Sequence, residues 1–371
     1  MRDHVSPIRT QLLVCPASRV IMTVPFDYEL LAELTETSGV PGYEDRIREI
    51  VRRELEPHVD AIRGDGMGNV VGTIDGATDT TVVVAAHMDE IGFMVRHVTD
   101  DGFVQIDPLG GWDASVLKAQ RVTIHTDDGD VTGLIGSPPP HTLDEEAREG
   151  APDVEDVSID LGVDGETAAE RVSVGDLVTL DQTTEQVGEH ITGKALDDRV
   201  CLFAMLEAAK RLTDPGVTVH FAATVQEEVG LRGARALGDD LTPDIGIALD
   251  VTVANDVPGF GPGEHVTNLG SGTAIKLKDS SVITNPKIAG RLQTLADSEG
   301  IDYQTEVLPA GGTDTAGLQV PGGATPVGAL SIPTRYLHTV TESAHIDDIA
   351  ATVDLLTAFL DTESPDNDYK L

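Results

Sequence analysis

Apolar and polar positions follow three successive patterns along the chain. Near the start, apolar residues recur at helical spacing, and a β-branched run typical of a buried strand follows them. In the middle, short β-like runs alternate with turn signals such as Gly-Gly and Ser-Pro-Pro-Pro. Strands and helices then alternate towards the end. These patterns predict helices over 27–36, 47–55, 165–171, 197–211, 285–297 and 346–360, and strands over 80–86, 217–224, 245–249 and 327–332.

The order of the patterns predicts an α/β fold that is interrupted by a small β-rich domain. Strands that alternate with helices favour a mostly parallel sheet with helices on both faces. A chain of 371 residues is also longer than one ordinary core requires. We expect residues 22–92 and 184–365 to form the α/β domain, residues 93–183 to form the insertion, and residues 366–371 to be a tail.

The charge balance argues against some classes of function. The formal net charge is −39, from 25 basic and 64 acidic residues, so this protein would repel the phosphates of nucleic acid. The acids are interspersed among periodic apolar residues, which argues against a disordered acidic protein. The balance favours a surface adapted to molar salt, as in a haloarchaeon, because the Debye length falls to about 3 Å at 1 M.

The melting temperature is therefore expected to rise from low to molar salt, because self-repulsion of an unscreened acidic surface destabilises the folded chain. Thermal unfolding followed by circular dichroism at increasing sodium chloride concentration measures this effect. A melting curve that stays in place between low and molar salt contradicts the halophilic interpretation.

Three features indicate a cytoplasmic protein without a membrane segment. No apolar run reaches the roughly 18 residues that a bilayer span needs. The two cysteines, Cys15 and Cys201, argue against a disulfide framework. Residues 1–21 hold three arginines and one aspartate but lack the apolar core of a signal peptide. We interpret this extension either as a disordered tail or as a segment upstream of a true start at Met22.

Potential metal ligands follow the predicted strands. His87, Glu228 and Asp250 stand at or just after strand ends, and His338 follows the last strand after a short loop. Asp197 begins a helix in the same half of the chain. Because ligand sites in open α/β sheets form at the carboxyl ends of the strands, we expect these side chains at one edge. Two histidines and three carboxylates suit two cations such as Zn²⁺ or Co²⁺ better than Mg²⁺, which prefers oxygen ligands.

Each of these residues alone also has a simpler explanation. Acids such as Asp197 are favoured at a helix N-terminus by capping and the helix dipole. Glu227 and Glu228 fit a solvated turn as well as a site. If they are buried, however, adjacent carboxylates repel each other unless a cation neutralises one, which leaves one ligand and one free base. Asp89 lies two residues beyond His87 and could hold the other ring nitrogen of that histidine.

Nine segments in order resemble the tetrahedral aminopeptidases and glutamyl aminopeptidases, which are co-catalytic metallopeptidases often labelled endoglucanase. The likeness extends over nearly the whole chain from Met22 onwards, and residues 1–21 have no match. Several segments are weak alone, but nine in the right order are specific. The segments are SGVPGYEDRIREIV, AAHMDEIGFMV, PLGGWDASVLKAQRV, GLIGSPPPH, GKALDDRV, VQEEVGLRGA, ALDV, AGGTDTAG and RYLHT.

The resemblance implies two metal sites that share one ligand. Asp197 would bridge both ions. His87 and Asp250 would complete one site, and Glu228 and His338 would complete the other. The ions implied are two divalent cations per subunit, with Zn²⁺ or Co²⁺ preferred on the chemistry of the ligands.

The resemblance also implies the groups that act on the substrate. Glu227 would be the general base and acid, taking a proton from the attacking water and passing it to the leaving amine. Asp89 would orient His87. His345 competes with His338 for the place of the last ligand, and His338 is preferred because it directly follows the Arg-Tyr-Leu sequence typical of the family.

Further features follow from the same resemblance. The peptide bond between Asp197 and Asp198 would be cis, as in related enzymes. The segment 93–183 would mediate dimer contacts, and dimers of the family can assemble into a tetrahedral shell of twelve subunits with the active sites inside. The AGGTD loop at 310–314 is expected to line the substrate pocket and is assigned no defined role.

The expected function is that of an aminopeptidase that trims short peptides. A related deacylase or carboxypeptidase is an alternative, and substrates with a free carboxylate would distinguish it. Glycoside hydrolysis usually needs two opposed carboxylates and no metal, so sensitivity to chelators counts against it. A non-catalytic acidic assembly or metal-storage module would keep the ions but turn over no peptide.

Overall fold

The computed structural model of the protein describes residues 26–142 and 153–371. The extension 1–21, with Cys15, and Met22 lie outside the described residues, as does part of the predicted insertion. The strands are β1 (Ala61–Gly64), β2 (Val70–Ile74), β3 (Thr81–His87), β4 (Gly92–Val98), β5 (Phe103–Leu109), β6 (Arg121–Thr126), β7 (Gly129–Ile135), β8 (Ser158–Asp160), β9 (Leu177–Leu180), β10 (Glu185–Val187), β11 (His190–Gly193), β12 (Thr218–Thr224), β13 (Ile245–Val253), β14 (Thr273–Lys278), β15 (Tyr303–Val307), β16 (Val327–Arg335) and β17 (Glu342–His345). The helices are α1 (Tyr28–Glu36), α2 (Asp45–Leu55), α3 (Gly165–Arg171), α4 (Leu196–Arg211), α5 (Arg232–Leu241), α6 (Pro286–Glu299), α7 (Asp314–Gln319) and α8 (Ile346–Asp361).

A mixed sheet of eleven strands forms the frame of the larger domain. Its centre is parallel, because β3 lies between β12 and β13, and β16 pairs with the far side of β13. Antiparallel strands extend the sheet on both sides, with β2 and β1 beyond β12 and with β17, β11 and β10 beyond β16. The predicted α/β class is confirmed, and the parallel centre brings the carboxyl ends of four strands to one edge.

The β-branched run of β3 explains why helices cover both faces of this sheet. Successive side chains of a strand point to opposite faces. Val82 and Val84 therefore join the large core beneath α1, α2, α4, α6 and α8. Val83 and Ala85 join the smaller core beneath α5 and α7. A strand buried on both faces is a near-continuous apolar run, as the sequence shows here.

A closed barrel stands between β3 and β10 along the chain. Its strands follow one another in the order β4, β5, β8, β7, β6 and β9, and α3 lies in the connection between β8 and β9. The barrel has a core of its own, with Phe93, Ile106, Ile124 and Val178 fully buried. Val340, from the loop before β17, also packs into this core, so the barrel is in contact with the larger domain.

Two strands are longer than the sequence predicts. Strand β13 continues to Val253, so that Asp250 lies within it rather than after it. Strand β16 continues to Arg335, so that only Tyr336 and Leu337 separate it from His338. Pairing of β13 with β16 over eight residue pairs explains both extensions, because a partner strand supports polar positions that an apolar pattern does not mark.

Several short elements were not predicted. Strand β15 has the sequence YQTEV, in which polar residues obscure any period of two. Helix α5 has the sequence RGARALGDDL, whose two glycines lower helix propensity. The sequence patterns also do not predict strands β1, β2, β8, β10, β11, β14 and β17 or helix α7. Within the described part of the chain, no helix combines the length and the apolar character that a bilayer crossing requires.

Candidate metal centre

The carboxyl edge of the parallel strands brings together all five predicted metal ligands. His87 is the last residue of β3, Asp250 lies in the adjacent β13, and the two glutamates follow β12 on the other side of β3. His338 reaches the same place from the loop after β16. Three overlapping groups of potential ligand atoms lie there, each within 4.8 Å: His87, Asp197, Asp198 and Asp250; His87, Glu227 and Glu228; and Asp197, Glu228 and His338.

Asp197 lies at the centre of these groups. Its Oδ1 is 3.2 Å from Nε2 of His87, and its Oδ2 is 3.5 Å from Nε2 of His338. One carboxylate therefore faces both histidines, with one oxygen towards each. The peptide bond between Asp197 and Asp198 is cis, as the family resemblance implies. Neither aspartate has helical dihedral angles, so the regular helix of α4 begins only after them.

Asp89 holds the backbone of the two glutamates. Its Oδ1 accepts the backbone N–H of Glu227 at 3.0 Å, and its Oδ2 accepts that of Glu228 at 3.1 Å. Asn69 supports the same loop, since its Oδ1 accepts the N–H of Val225 and its side-chain amide donates to the carbonyl of Gly233. Two buried side chains thus fix the turn that presents both glutamates.

Gly233 shows how tightly this loop closes. A Cβ at this position would lie 2.4 Å from the carbonyl oxygen of Val225 and 2.5 Å from Oδ1 of Asn69. Both distances are far below ordinary contact, so a larger residue would displace the loop backbone or Asn69. Gly233 is therefore required by the close approach of α5 to the loop that carries Glu227.

His87 is oriented through the backbone. Its Nδ1 lies 3.0 Å from the carbonyl oxygen of Asp89 and 3.6 Å from Oδ1 of the same residue. Its backbone N–H donates to Oδ2 of Asp198 at 3.1 Å. Nδ1 therefore donates to the Asp89 carbonyl, which leaves Nε2 as the atom that faces the centre. The sequence suggested the Asp89 carboxylate as the partner, and that carboxylate is occupied with the glutamate loop instead.

The two candidate histidines near the C-terminus lie in different surroundings. Nε2 of His338 is 3.5 Å from Asp197 and 3.9 Å from Oε2 of Glu228. His345 instead lies 3.6 Å from Glu189, with its ring edge-on to His190. A Cβ at Gly111 of the barrel would lie 3.2 Å from Nδ1 of His338. The structure thus places His338 in the centre, beneath a glycine of the barrel.

The charges of the centre shift the proton affinities of its groups. Burial raises the pKa of Glu227 well above its usual value, and burial together with Asp197 raises the pKa of Glu228 to about 8. Burial also raises the pKa of Asp250 well above normal. For Asp197, burial is outweighed by hydrogen bonds from His338 and His87, which hold its pKa below the usual value. The carboxylate that faces both histidines therefore favours its ionised form, in contrast to Glu227, Glu228 and Asp250.

Three further acids belong to the centre. Asp198 was expected only as a partner of the cis bond, yet it lies in the group of His87 and Asp250. Asp314 of the AGGTD loop accepts a hydrogen bond from the hydroxyl of Thr224, and burial raises its pKa to about 6. Glu342 accepts backbone hydrogen bonds from Asp197 and His338. The sequence offers only weak signals for these three acids. Asp198 is adjacent to Asp197, Asp314 belongs to the AGGTD motif, and Glu342 lies four residues after His338.

Comparisons with known proteins agree on one family. The sequence profile described as M42 glutamyl aminopeptidase matches residues 68–355. A putative aminopeptidase of Escherichia coli is 36% identical over 338 residues, which cover 90% of this chain and 95% of the relative. The lysyl aminopeptidase of Pyrococcus furiosus is 36% identical over 349 residues, or 91% of this chain and 98% of that protein.

Solved structures support the same assignment. An aminopeptidase from the archaeon Desulfurococcus kamchatkensis superimposes with a TM-score of 0.87 at 37% identity, over 91% of this chain and 95% of the other. The TET1 peptidase of Pyrococcus horikoshii, described as able to assemble into a tetrahedron or a large octahedral shell, gives a TM-score of 0.82 at 33% identity. The match covers 90% of this chain and 99% of that one.

Proposed function

The chain belongs to the M42 glutamyl aminopeptidase family of metal-dependent peptidases, and from this premise we propose that it removes N-terminal residues from short peptides with two divalent cations and Glu227 as the general base. The observation that carries the proposal is the position of Asp197 between His87 and His338, with one carboxylate oxygen towards each ring. A single carboxylate so placed is suited to bridge two ions.

The side chains of the centre fit such ions. Oε1 of Glu228 and Oδ1 of Asp198 are buried and have no hydrogen-bond partner among the described residues. Buried oxygens of this kind are unfavourable unless a donor or a cation compensates them. Two imidazoles and several carboxylates make up a donor set that suits Zn²⁺ or Co²⁺. We assign His87, Asp197 and Asp250 to one ion, and Asp197, Glu228 and His338 to the other.

The chemistry is divided between the ions and the protein. The bound cations supply Lewis acidity, which polarises the scissile carbonyl and makes a water molecule easier to deprotonate. Glu227 lies 4.0 Å from Nε2 of His87, and its raised pKa suits a group that accepts a proton at neutral pH and returns it. It takes the proton of the attacking water and delivers it to the leaving amine. Asp89 keeps Glu227 in place through the backbone.

The restriction to free amino termini follows from charge. Asp198, Asp250 and Asp314 are crowded at the centre, where burial and neighbouring acids raise their pKa values. A nearby cation favours their ionised forms, and an internal peptide bond offers none. An N-terminal ammonium group is attracted to such a site, and a bound ion or one of these acids is its proposed contact. This attraction favours exopeptidase action over cleavage within a chain.

The barrel is the proposed surface of self-association. Phe103, Leu134 and Val174 are large apolar side chains of this domain that remain exposed, with Val174 exposed to 70%. Where such side chains lie together in one patch, they mark a contact surface. Together with the assemblies described for the related TET1 peptidase, they support dimers through residues 93–183, and a shell of twelve subunits built from those dimers.

The test is the release of p-nitroaniline from free and N-acetylated aminoacyl substrates. The assay is run in molar salt, first with the purified protein, then with a chelator, and then with Zn²⁺ or Co²⁺ restored. Cleavage confined to free amino termini and dependent on the ions supports the proposal and reveals the side-chain preference. No cleavage by a folded, ion-loaded protein overturns it. Cleavage of substrates with a free carboxylate would instead favour a carboxypeptidase or deacylase.

Stability of the ion-free protein is expected to fall as pH rises from about 4.5 to about 8. In the folded chain burial raises the pKa of Glu228 to about 8 and of Asp314 to about 6, so the folded state binds more protons than the unfolded state in this window. His338, with a pKa raised to about 10 by its hydrogen bond to Asp197, continues the same trend at higher pH.

Bound ions should remove this dependence, since they take the place of the protons. Melting temperatures of the chelated and the ion-loaded protein, measured across pH 5 to 9 at constant molar salt, check the prediction. The chelated curve should fall more steeply than the loaded one. Two parallel curves would contradict it.

A further inference from the structure

Glu342 connects the two residues that face each other across the centre. Its Oε2 accepts the backbone N–H of Asp197 at 3.0 Å, and its Oε1 accepts the backbone N–H of His338 at 2.8 Å. Glu342 is only 2% exposed. Each of its oxygens thus accepts a hydrogen bond from a different candidate ligand. One carboxylate therefore connects Asp197 and His338, which are 141 residues apart in sequence.

Both of those segments need such support. His338 and Tyr336 have φ angles of +58° and +60°, in the left-handed region that residues with a side chain rarely adopt. Ala195, two residues before Asp197, has a φ of +55°. Irregular backbone of this kind persists only where the surrounding structure holds it. The hydrogen bonds to Glu342 are contacts that hold it on both sides.

Glu342 itself stands on a rigid element. It is the first residue of β17, and it pairs with Gly193 of β11, the strand that leads into the segment of Asp197. Ala344 and Ser343 of β17 pair with Thr334 and Arg335 of β16, the strand that leads to His338. The carboxylate is therefore tied through the sheet to the two chain segments whose backbone it binds.

We propose that Glu342 is a positioning residue that fixes Asp197 and His338 relative to each other, and that it is required for tight binding of the ion at Glu228 and His338. This inference rests on the proposed function. Asp89 accepts the backbone N–H groups of Glu227 and Glu228 in the same two-oxygen arrangement. The ion held by His87, Asp197 and Asp250 depends less on Glu342, because only Asp197 among these ligands contacts Glu342 in the described structure.

Glu342→Gln is expected to weaken one of the two ions. An amide has only one oxygen, and its NH₂ group would face an N–H donor, so one of the two backbone hydrogen bonds is lost. Loss of an outer hydrogen bond to a metal ligand typically lowers metal affinity about 10- to 100-fold. In titrations of the chelated full-length chain with Co²⁺, the first ion should bind within about threefold of wild type and the second should bind about 10- to 100-fold more weakly.

Two further variants separate position from charge and from general stability. Glu342→Asp keeps the charge but shortens the reach, so a positioning role predicts that it behaves like Glu342→Gln, whereas a purely electrostatic role predicts wild-type affinity.

Asp348→Asn is the matched control, because Asp348 likewise accepts two backbone N–H groups, those of Gly270 and Gly272. It should lower the melting temperature and leave both Co²⁺ affinities unchanged.

The kinetic measurement distinguishes positioning from unfolding. Raising the Co²⁺ concentration should restore kcat of Glu342→Gln to within about threefold of wild type, with a half-saturating concentration that moves in parallel with the second affinity. Two ions bound with wild-type affinity by this variant would overturn the inference. A wild-type chain that binds two ions but cleaves no peptide would overturn the proposed function and leave the role of Glu342 standing.

Discussion

Replacing Glu227 with glutamine is expected to lower kcat by about 10²- to 10⁴-fold, the range typical for removal of a general base, while both ions stay bound. The reason is positional: Asp89 binds the backbone of Glu227 rather than its side chain, so an isosteric amide leaves the loop in place. An amide cannot accept a proton from water at neutral pH. Initial rates on a free aminoacyl p-nitroanilide, together with Co²⁺ stoichiometry, measure both parts of the prediction.

Glu228→Gln is the matched control for this experiment. The two glutamates are adjacent, and each donates its backbone N–H to one oxygen of Asp89. Glu228 faces His338 at 3.9 Å, so its loss should weaken one ion, and part of the activity should return with excess Co²⁺. No excess of ions should rescue Glu227→Gln. A Glu227 variant with near wild-type kcat would remove this residue from the role of base.

The grouping of the candidate ligands could be predicted from the sequence because a parallel sheet brings distant strand ends together. His87 and Asp250 lie on neighbouring strands, β3 and β13, although more than 160 positions separate them. The alternation of strands with helices is enough to predict that such ends share an edge. The structure places these two side chains within one group of potential ligand atoms.

Other parts of the centre could not be predicted, because they depend on backbone contacts. Glu342 and Asp89 act on N–H groups, and no residue pattern indicates which N–H groups will lack a partner. The carbonyl of Asp89, rather than its carboxylate, faces His87 for the same reason. The spacing in the sequence identified Asp89 as the neighbour of His87, but it did not show which atom of Asp89 contacts the ring. Backbone geometry decides that point.

The acids of this chain fall into two groups with different ionic requirements. Surface acids, which make up most of the net charge of −39, are relieved by screening in molar salt. Burial raises the pKa values of acids of the centre such as Asp250 and Glu228, and buried charges are screened much less by salt, so protons or bound cations are what compensate them. Salt and divalent ions should therefore stabilise the protein independently, and each can be varied while the other is held constant.

Asp197→Asn is expected to leave no more than one tightly bound ion and to lower kcat/KM on the order of 10³-fold, because several kcal/mol of the stabilisation of the transition state come from the ions. The carboxylate now offers one oxygen to His87 and the other to His338, whereas an amide keeps a single oxygen that can serve as a ligand. Loss of the negative charge also increases repulsion between two cations.

The histidines test the same arrangement from both sides. His87→Ala and His338→Ala should each lose one ion and keep the other, since each ring faces a different oxygen of Asp197. His345→Ala is the control, because this side chain contacts Glu189 and His190 instead. It should keep both ions and full activity. If Asp197→Asn retained two tightly bound ions, the carboxylate would not be a bridge, and the two sites would have to be held by separate sets of ligands.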